Sequence, residues 1–384
     1  MVLVLSFNLL FCSMMQLKLV LPLVALVLVG VDAQGRSKLF GNRGSVGVVG
    51  DGDPGEALFL TPYIQKGNIK EAQSMSKVTT LAPSLKIESY TGYLTVNDTY
   101  NSNMFFWFFP SKAQIAKAPV LLWLQGGPGG TSMFGLFNEH GPYVINDNMT
   151  LEARLYTWSQ KYHVVYIDNP VGTGFSFTDK DEGYAKNEDD VAQNLYSALT
   201  QFFTLFPEYQ QNDFYATGES YAGKYVPAIS LKIHQENLKN PDVRINLKGL
   251  LVGDGLCDPE SMFPAYAPFL YNIGLLDENQ RDYFAHFSDQ AVGFIKEGKF
   301  YDAFKIFDTL LNGDLTGSKA WFYNQTGLDF YYNYLLPAAP KEFDYLNKFL
   351  VQDNVRKSIH VGDKTFNDGS KVSGVICMIR TNPS

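Results

Sequence analysis

Cysteine is scarce in this chain, with three in 384 residues. Cys12 lies in an apolar leader, so Cys257 and Cys377 remain for the mature protein. A fold stapled by several disulfides is excluded. One Cys257–Cys377 bridge is allowed, with two free thiols as the preferred reading. Histidine numbers only five, and no Cys/His cluster has the spacing of metal ligands, so no metal and no cofactor is expected. Positive charge is not in excess. Thirty-one Lys and Arg against 39 Asp and Glu leave a net charge of −8, which argues against nucleic acid as a partner. There is no P-loop, no internal repeat, and no low-complexity segment beyond the glycine-rich patch Gly41–Gly55.

What is abundant is apolar mass, at 46% hydrophobic and 15% aromatic, enough for a large core in one domain with an insertion or in two domains. The N-terminus is apolar from Val2 to Val31, interrupted only by Lys18, and Val31-Asp32-Ala33 makes a small-x-small cleavage site. This reads as a cleaved secretory signal over residues 1–33, leaving no stable membrane span; an uncleaved anchor is the alternative, because the run is long enough to cross a bilayer. Three sequons, at Asn97, Asn148 and Asn324, agree with a secreted, endoplasmic-reticulum or lysosomal glycoprotein.

Residues 34–80 read as a flexible segment leading into the core, with regular structure starting at Tyr90. Tyr90–Val96 and Met104–Phe109, separated by a turn at Asn97-Asp98, read as a hairpin. Pro119–Leu124 and His163–Asp168 are short continuous apolar runs, as suits strands buried on both faces. A helix follows, capped by Asn187, with Glu188, Asp189 and Asp190 in its first turn as capping charges and Phe206-Pro207 as its stop. A strand at Asn246–Val252 comes later. The alternation indicates an α/β core over residues 81–253. Residues 254–340 change to aromatic-rich helical patches, such as Glu260–Leu276 and Phe300–Leu311, read as a cap over the sheet's carboxyl edge. Residues 341–384 return partly to the core.

Between the strand-like Asp213–Thr217 and a helix-like run lies Gly218-Glu219-Ser220-Tyr221-Ala222-Gly223. A small-x-Ser-x-small corner of this kind is a nucleophile elbow, with Ala222 in place of the usual second glycine. The helix after it points free N–H groups at any negative charge forming near Ser220. A second glycine cluster, Gln125–Gly130, follows the strand ending near Leu124. Glycines there let backbone amides approach a reacting carbonyl oxygen, as an oxyanion hole requires.

Together WLQGGPGG, IDNPVGTGFSF and TGESYAGKYVPA resemble the serine carboxypeptidase family, and its vitellogenic-like members most closely. The likeness spans Leu58 to Asp368 and includes NEDDVAQNLYSAL, GLLDENQ and FNDG. It implies an α/β-hydrolase fold with a helical cap and an exopeptidase that removes residues from peptide or protein C-termini at acidic pH. It also implies Ser220 as nucleophile, the amides of Gly127 and Tyr221 as oxyanion hole, and Gln125, Gly126, Glu139 and Glu219 as holders of the substrate carboxylate. Two carboxyl groups facing a third cannot all be charged, so one must be protonated to donate, and binding should weaken as pH rises. The plainer alternatives are a structural elbow role for Glu219 and a surface charge for Glu139. Gln125 stands where many members carry Asn, and Gly130 where a cysteine is common.

The family's catalytic Asp lies in an apolar strand after the cap and its His in a glycine-rich loop near the C-terminus. The 384 residues contain neither segment, and Gly369–Ser384 reads as an unrelated ending, an alternative exon or a gene-model error. His234 lies about four helical turns, roughly 20 Å, from the serine. His286 belongs to the cap, and His360 precedes the expected Asp. Losing a triad serine or histidine costs on the order of 10⁶ in turnover. The expectation is a C-terminally truncated sheet with an open edge and an inactive chain. Three products fit: a fuller, active isoform, a peptide-binding or regulatory short form, or a non-functional one.

Overall fold

The computed structural model describes residues 52–367 apart from 114, 314 and 316. The leader with Cys12, the cleavage site, Cys377 and the ending from Asp368 lie outside the described residues. Helices α1 (Thr61–Gln65) and α2 (Ile69–Ser76) come first, followed by the hairpin β1 (Tyr90–Asn97) and β2 (Ser102–Phe109). Their presence corrects the expectation that structure begins at Tyr90. Leu60 donates to the Tyr93 carbonyl and Tyr93 to that of Leu58, both at 2.9 Å, so Leu58–Leu60 is tied to β1 and enters the core. Helices of five and eight residues are too short for their periodicity to stand out in the sequence.

Strand β3 (Val120–Leu124) precedes a small hairpin, β4 (Tyr143–Ile145) and β5 (Leu151–Ala153), which sequence patterning did not mark. Then follow β6 (His163–Ile167), α3 (Glu188–Leu205), β7 (Phe214–Glu219), α4 (Ala222–Asn237) and β8 (Leu247–Gly253). The main sheet has the order β1-β2-β6-β3-β7-β8; β6, β3, β7 and β8 are parallel, and the β1–β2 hairpin joins β6 antiparallel. Both faces are covered, as the continuous apolar runs require. Phe106, Phe108, Leu122 and Val165 pack with α3 and α4, while Phe105, Trp107, Leu121 and Tyr166 pack on the opposite face with the 133–145 and 346–361 segments. Among the described residues β8 is an outer strand, and Leu251 on it keeps 38% of its surface exposed.

Helix α3 begins as expected, with the Asn187 side chain accepting from the Asp190 amide at 2.8 Å, and it ends at Phe206. Glu188 stands in the first turn as expected, but it is buried at 3% exposure. Its carboxyl is pushed up to about 7 by burial, against the pull of the Tyr221 hydroxyl and Lys224.

The segment expected to form the cap consists of α5 (Pro259–Asn272), α6 (Glu278–Lys296), α7 (Phe300–Phe307), a π-helical turn at Asp308–Asn312 and α8 (Trp321–Thr326). The single patch expected at Glu260–Leu276 is cut at Gly274, whose φ of 77° belongs to a turn. A full capping box at Asp277 and Gln280 then restarts the chain as α6. Phe263, Tyr266, Phe284, Phe307 and Phe322 form a cluster separate from the two faces of the sheet. The short α9 (Tyr345–Leu350) and α10 (Asp353–Ser358) return to the sheet, where Leu346, Phe349 and Val355 join its core.

Candidate active site

The corner between β7 and α4 has the geometry that its small residues permit. Ser220 has φ of 57°, a left-handed conformation costly for a non-glycine residue, and is 3% exposed. A Cβ on Gly218 would lie 2.4 Å from the Leu124 carbonyl oxygen and 2.7 Å from the Ala222 Cβ, so the corner closes only with a glycine there. Ala222 is accommodated as the second small residue. The chain leaving β8 braces the corner from behind: Ser220 N–H donates to the Gly253 carbonyl at 3.1 Å, and Leu256 N–H to the Ser220 carbonyl at 2.8 Å.

The glycine loop abuts this corner. A Cβ on Gly126 would sit 2.5 Å from the Tyr221 nitrogen and 2.8 Å from the Ser220 Cβ. Gly126 therefore lies against both the serine and the amide that follows it, with Gly127 (φ 119°) next in the loop.

Gln125, Glu139 and Glu219, drawn from three separate segments, meet here. Gln125 Nε2 donates to Glu219 Oε1 at 2.5 Å and stands 3.4 Å from Glu139 Oε1. Glu139 comes from a π-helical turn, Gly135–Glu139. Burial first, then the neighbouring Glu219 carboxylate, push the Glu139 carboxyl well above the usual range. Burial also raises Glu219, while hydrogen bonds from Glu139 and Gln125 oppose the rise. The pair thus holds a proton to higher pH than either carboxyl would alone, with Glu139 as its favoured seat. Glu139 keeps 24% of its side chain accessible, so a ligand can reach it.

Several contributors were not singled out from the sequence. Trp123 Nε1 donates to Gln125 Oε1 at 3.1 Å, which turns the Gln125 NH₂ toward the two glutamates. A strand places residues i and i+2 on one face, so the Trp123–Gln125 spacing was a usable signal. Gly135 makes room for that indole, since a Cβ there would come within 2.2 Å of Trp123 Nε1. The Arg154 guanidinium donates to the carbonyls of Phe137, Gly141 and Tyr143, holding the turn that presents Glu139. Asp254, at φ 35° just after β8, adds a charge that raises Glu139 further.

The five histidines all have other surroundings than Ser220, although His140 borders the site, its Nε2 3.9 Å from Glu139 Oε2. His140 is stacked on Trp158, with ring centroids 3.9 Å apart, and its Nδ1 lies 3.1 Å from the Tyr166 hydroxyl; burial pushes its imidazole down to about 3. His163 meets the Ser111 amide and the Ile115 carbonyl. His360 pairs with the Thr91 hydroxyl and His286 with Gln290 in the cap. His234 is exposed in the last turn of α4. Cys257 carries a free thiol. Among the described residues no group of His, Cys, Asp and Glu could hold a metal, and no helix is long and apolar enough to cross a membrane. The sequons lie at the surface: Asn97 as the last residue of β1, Asn148 in the β4–β5 hairpin with its Oδ1 accepting from Thr150, and Asn324 on α8.

The sequence profile of the serine carboxypeptidase family matches residues 80–376, running past Asp368, where the resemblance had been expected to fade. A probable serine carboxypeptidase, CPVL of Homo sapiens, is 56% identical over 328 residues, covering 85% of this chain and 68% of its own. The venom serine carboxypeptidase of Apis mellifera is 51% identical over 320 residues, covering 83% and 68%. Among solved structures, the prohormone-processing carboxypeptidase Kex1 of Saccharomyces cerevisiae superposes with a TM-score of 0.66 at 24% identity, over 79% of this chain and 72% of that one. The mostly parallel sheet is thereby that of an α/β-hydrolase.

Proposed function

Because this chain belongs to the serine carboxypeptidase family, we propose that its site captures the C-terminal carboxylate of peptides and presents the last peptide bond to Ser220. The observation that carries this reading is the convergence of Gln125, Glu139 and Glu219 beside the Ser220 corner. A protonated Glu139 and the Gln125 NH₂ would both donate to the carboxylate, which favours acidic pH. The amides of Gly127 and Tyr221 would receive the oxyanion as Ser220 Oγ attacks the carbonyl carbon and its proton leaves to a base. A secretory-pathway location with glycans at Asn97, Asn148 and Asn324 completes the proposal.

The histidine placements favour a second reading for the 384-residue polypeptide itself. With His140, His163, His286 and His360 engaged elsewhere and His234 on the far turn of α4, none of them is set to take the Ser220 proton. This polypeptide would then bind peptide C-termini without turning them over.

Labelling of the secreted product of this chain with a fluorophosphonate at pH 5 and pH 7, beside Ser220→Ala, separates the two. Labelling that vanishes in Ser220→Ala means the serine is activated and the binding-only reading is wrong. Absence of labelling in a folded protein that still binds free-acid peptides supports it.

A further inference from the structure

Asp168 is the residue immediately after β6, and its side chain is fully buried at 0% exposure between two loops. One oxygen, Oδ1, accepts from the Thr131 hydroxyl at 2.5 Å and from the Ser132 amide at 3.1 Å. The other, Oδ2, accepts from the Phe175 amide at 2.9 Å. Next to it, Ser132 Oγ donates to the Ile167 carbonyl at 2.6 Å and accepts from the Gln125 amide at 3.2 Å. The glycine loop that leaves β3 at Gln125 is therefore closed at its neck by Ser132, and its returning end is anchored by Asp168.

We propose that Asp168 is a positioning residue: through Thr131 and Ser132 it fixes the Gln125–Ser132 loop and so sets where Gln125, Gly126 and Gly127 meet a peptide's C-terminal end. This rests on the carboxypeptidase reading of the loop. Gly126, Gly127, Gly129 and Gly130 give the loop more conformational freedom than ordinary residues would, so its geometry has to come from outside. A carboxylate suits the task because three donors converge on two oxygens, each of which can only accept. An amide would turn an NH₂ group toward one of those donors. The close packing is built in: a Cβ on Gly174 would lie 2.0 Å from Asp168 Oδ2, so that loop approaches the carboxylate only as glycine. Asp168 touches no substrate atom in this scheme. A residue serving stability alone would lower the melting temperature and leave ligand selectivity unchanged.

The test uses the full chain with Thr131→Val, Thr131→Ser and Asp168→Asn. Two quantities are measured: the preference for a fluorescent peptide with a free C-terminus over its amidated twin, and amide hydrogen exchange across residues 125–132. Valine matches threonine in shape without the hydroxyl and should fold; serine restores the hydroxyl. Loss of a hydrogen bond to a charged group is worth about tenfold. Thr131→Val should therefore lower the free-acid preference by about that factor and speed exchange in the loop. Asp168→Asn should do more, and Thr131→Ser should behave as the unaltered protein. A folded Thr131→Val protein with unchanged selectivity, or with unchanged exchange in the loop, overturns the proposal. An unaltered protein with no preference for the free acid would sink the carboxypeptidase reading instead, and hydrogen exchange would still decide whether Asp168 holds the loop.

Discussion

The sheet's carboxyl edge and the helical cap are held together in different ways. At the edge, Gln125, Ser132, Asp168, Ser220 and Glu219 are tied by short hydrogen bonds between segments far apart in sequence, including Gln125 to Glu219 and Thr131 to Asp168. The cap packs mainly through apolar side chains of its own helices, with one buried polar turn at Asp308 and Asn312, and it leaves Tyr283, Tyr301 and Tyr271 well exposed. Polar networks in a dry setting fix positions closely, whereas apolar contacts tolerate repacking. The edge is thus the more closely fixed of the two regions, and the helical segment the more tolerant of repacking.

The comparison breaks first, and with the largest effect, if the two regions do not come apart separately. Phe106→Ala under the sheet and Phe284→Ala in the cap each remove a fully buried ring, a loss of about 3–5 kcal/mol. Phe106→Ala should lower the denaturant midpoint of the whole protein. Phe284→Ala should instead release an early transition seen by Trp321, which packs on Tyr283 and Phe284, while Trp107, Trp123 and Trp158 report the later one. One shared transition in the Phe284→Ala variant would mean the regions fold as a unit.

Next in size is the ligand effect. Gln125→Ala should weaken binding of free-acid peptides by about ten- to hundredfold, the worth of hydrogen bonds to a charged group, with little change for amidated ones. Glu139→Gln keeps a donor and removes the titrating group, so it should flatten the pH dependence of binding. A steep dependence retained in Glu139→Gln, read by fluorescence anisotropy, would place the proton elsewhere.

A smaller effect concerns stability against pH. Glu188 is raised to about 7, and Glu139 and Glu219 are raised as well, so the native protein holds protons that the unfolded chain has released. Stability from these groups falls as pH rises through the interval from about 4 to about 7. Buried His140, His163 and His360 are depressed and act in the opposite sense, adding stability as pH rises toward 6.5 and nothing above it. The two sets oppose each other below pH 6.5, and only the carboxyls act beyond it. The melting temperature should therefore decline as pH rises from 6.5 to about 7; a rise across that interval contradicts the assignment.

Much of the core was legible because its signals are local. The aromatic run of β2, the Asn187 cap and the elbow each show within a few residues. The site was legible in its parts but not in its bracing. Asp168 looks in sequence like the end of an apolar strand, and Glu188 like one capping acid among three; their burial depends on loops and helices from elsewhere in the chain. The helices α1 and α2 and the β4–β5 hairpin escaped because they are short and gain their order from contacts with β1, α3 and each other. The π-helical turn carrying Glu139 follows from packing against Trp123, which no local pattern announces.

The smallest predicted effect compares the two regions at their helix starts. Asn187→Ala on α3 and Asp277→Ala on α6 each remove a capping acceptor worth about 1 kcal/mol. The first should shift the late transition, and the second only the Trp321 signal.

The central claim is that Gln125, Glu139 and Glu219 form a seat for a peptide's terminal carboxylate. Its most direct test is the affinity of the 384-residue protein for one peptide in free-acid and amidated form, at pH 5 and at pH 7.5. Tighter binding of the free acid at pH 5 and a loss of that advantage at pH 7.5 are expected. Equal affinity for the two forms at pH 5 would contradict it.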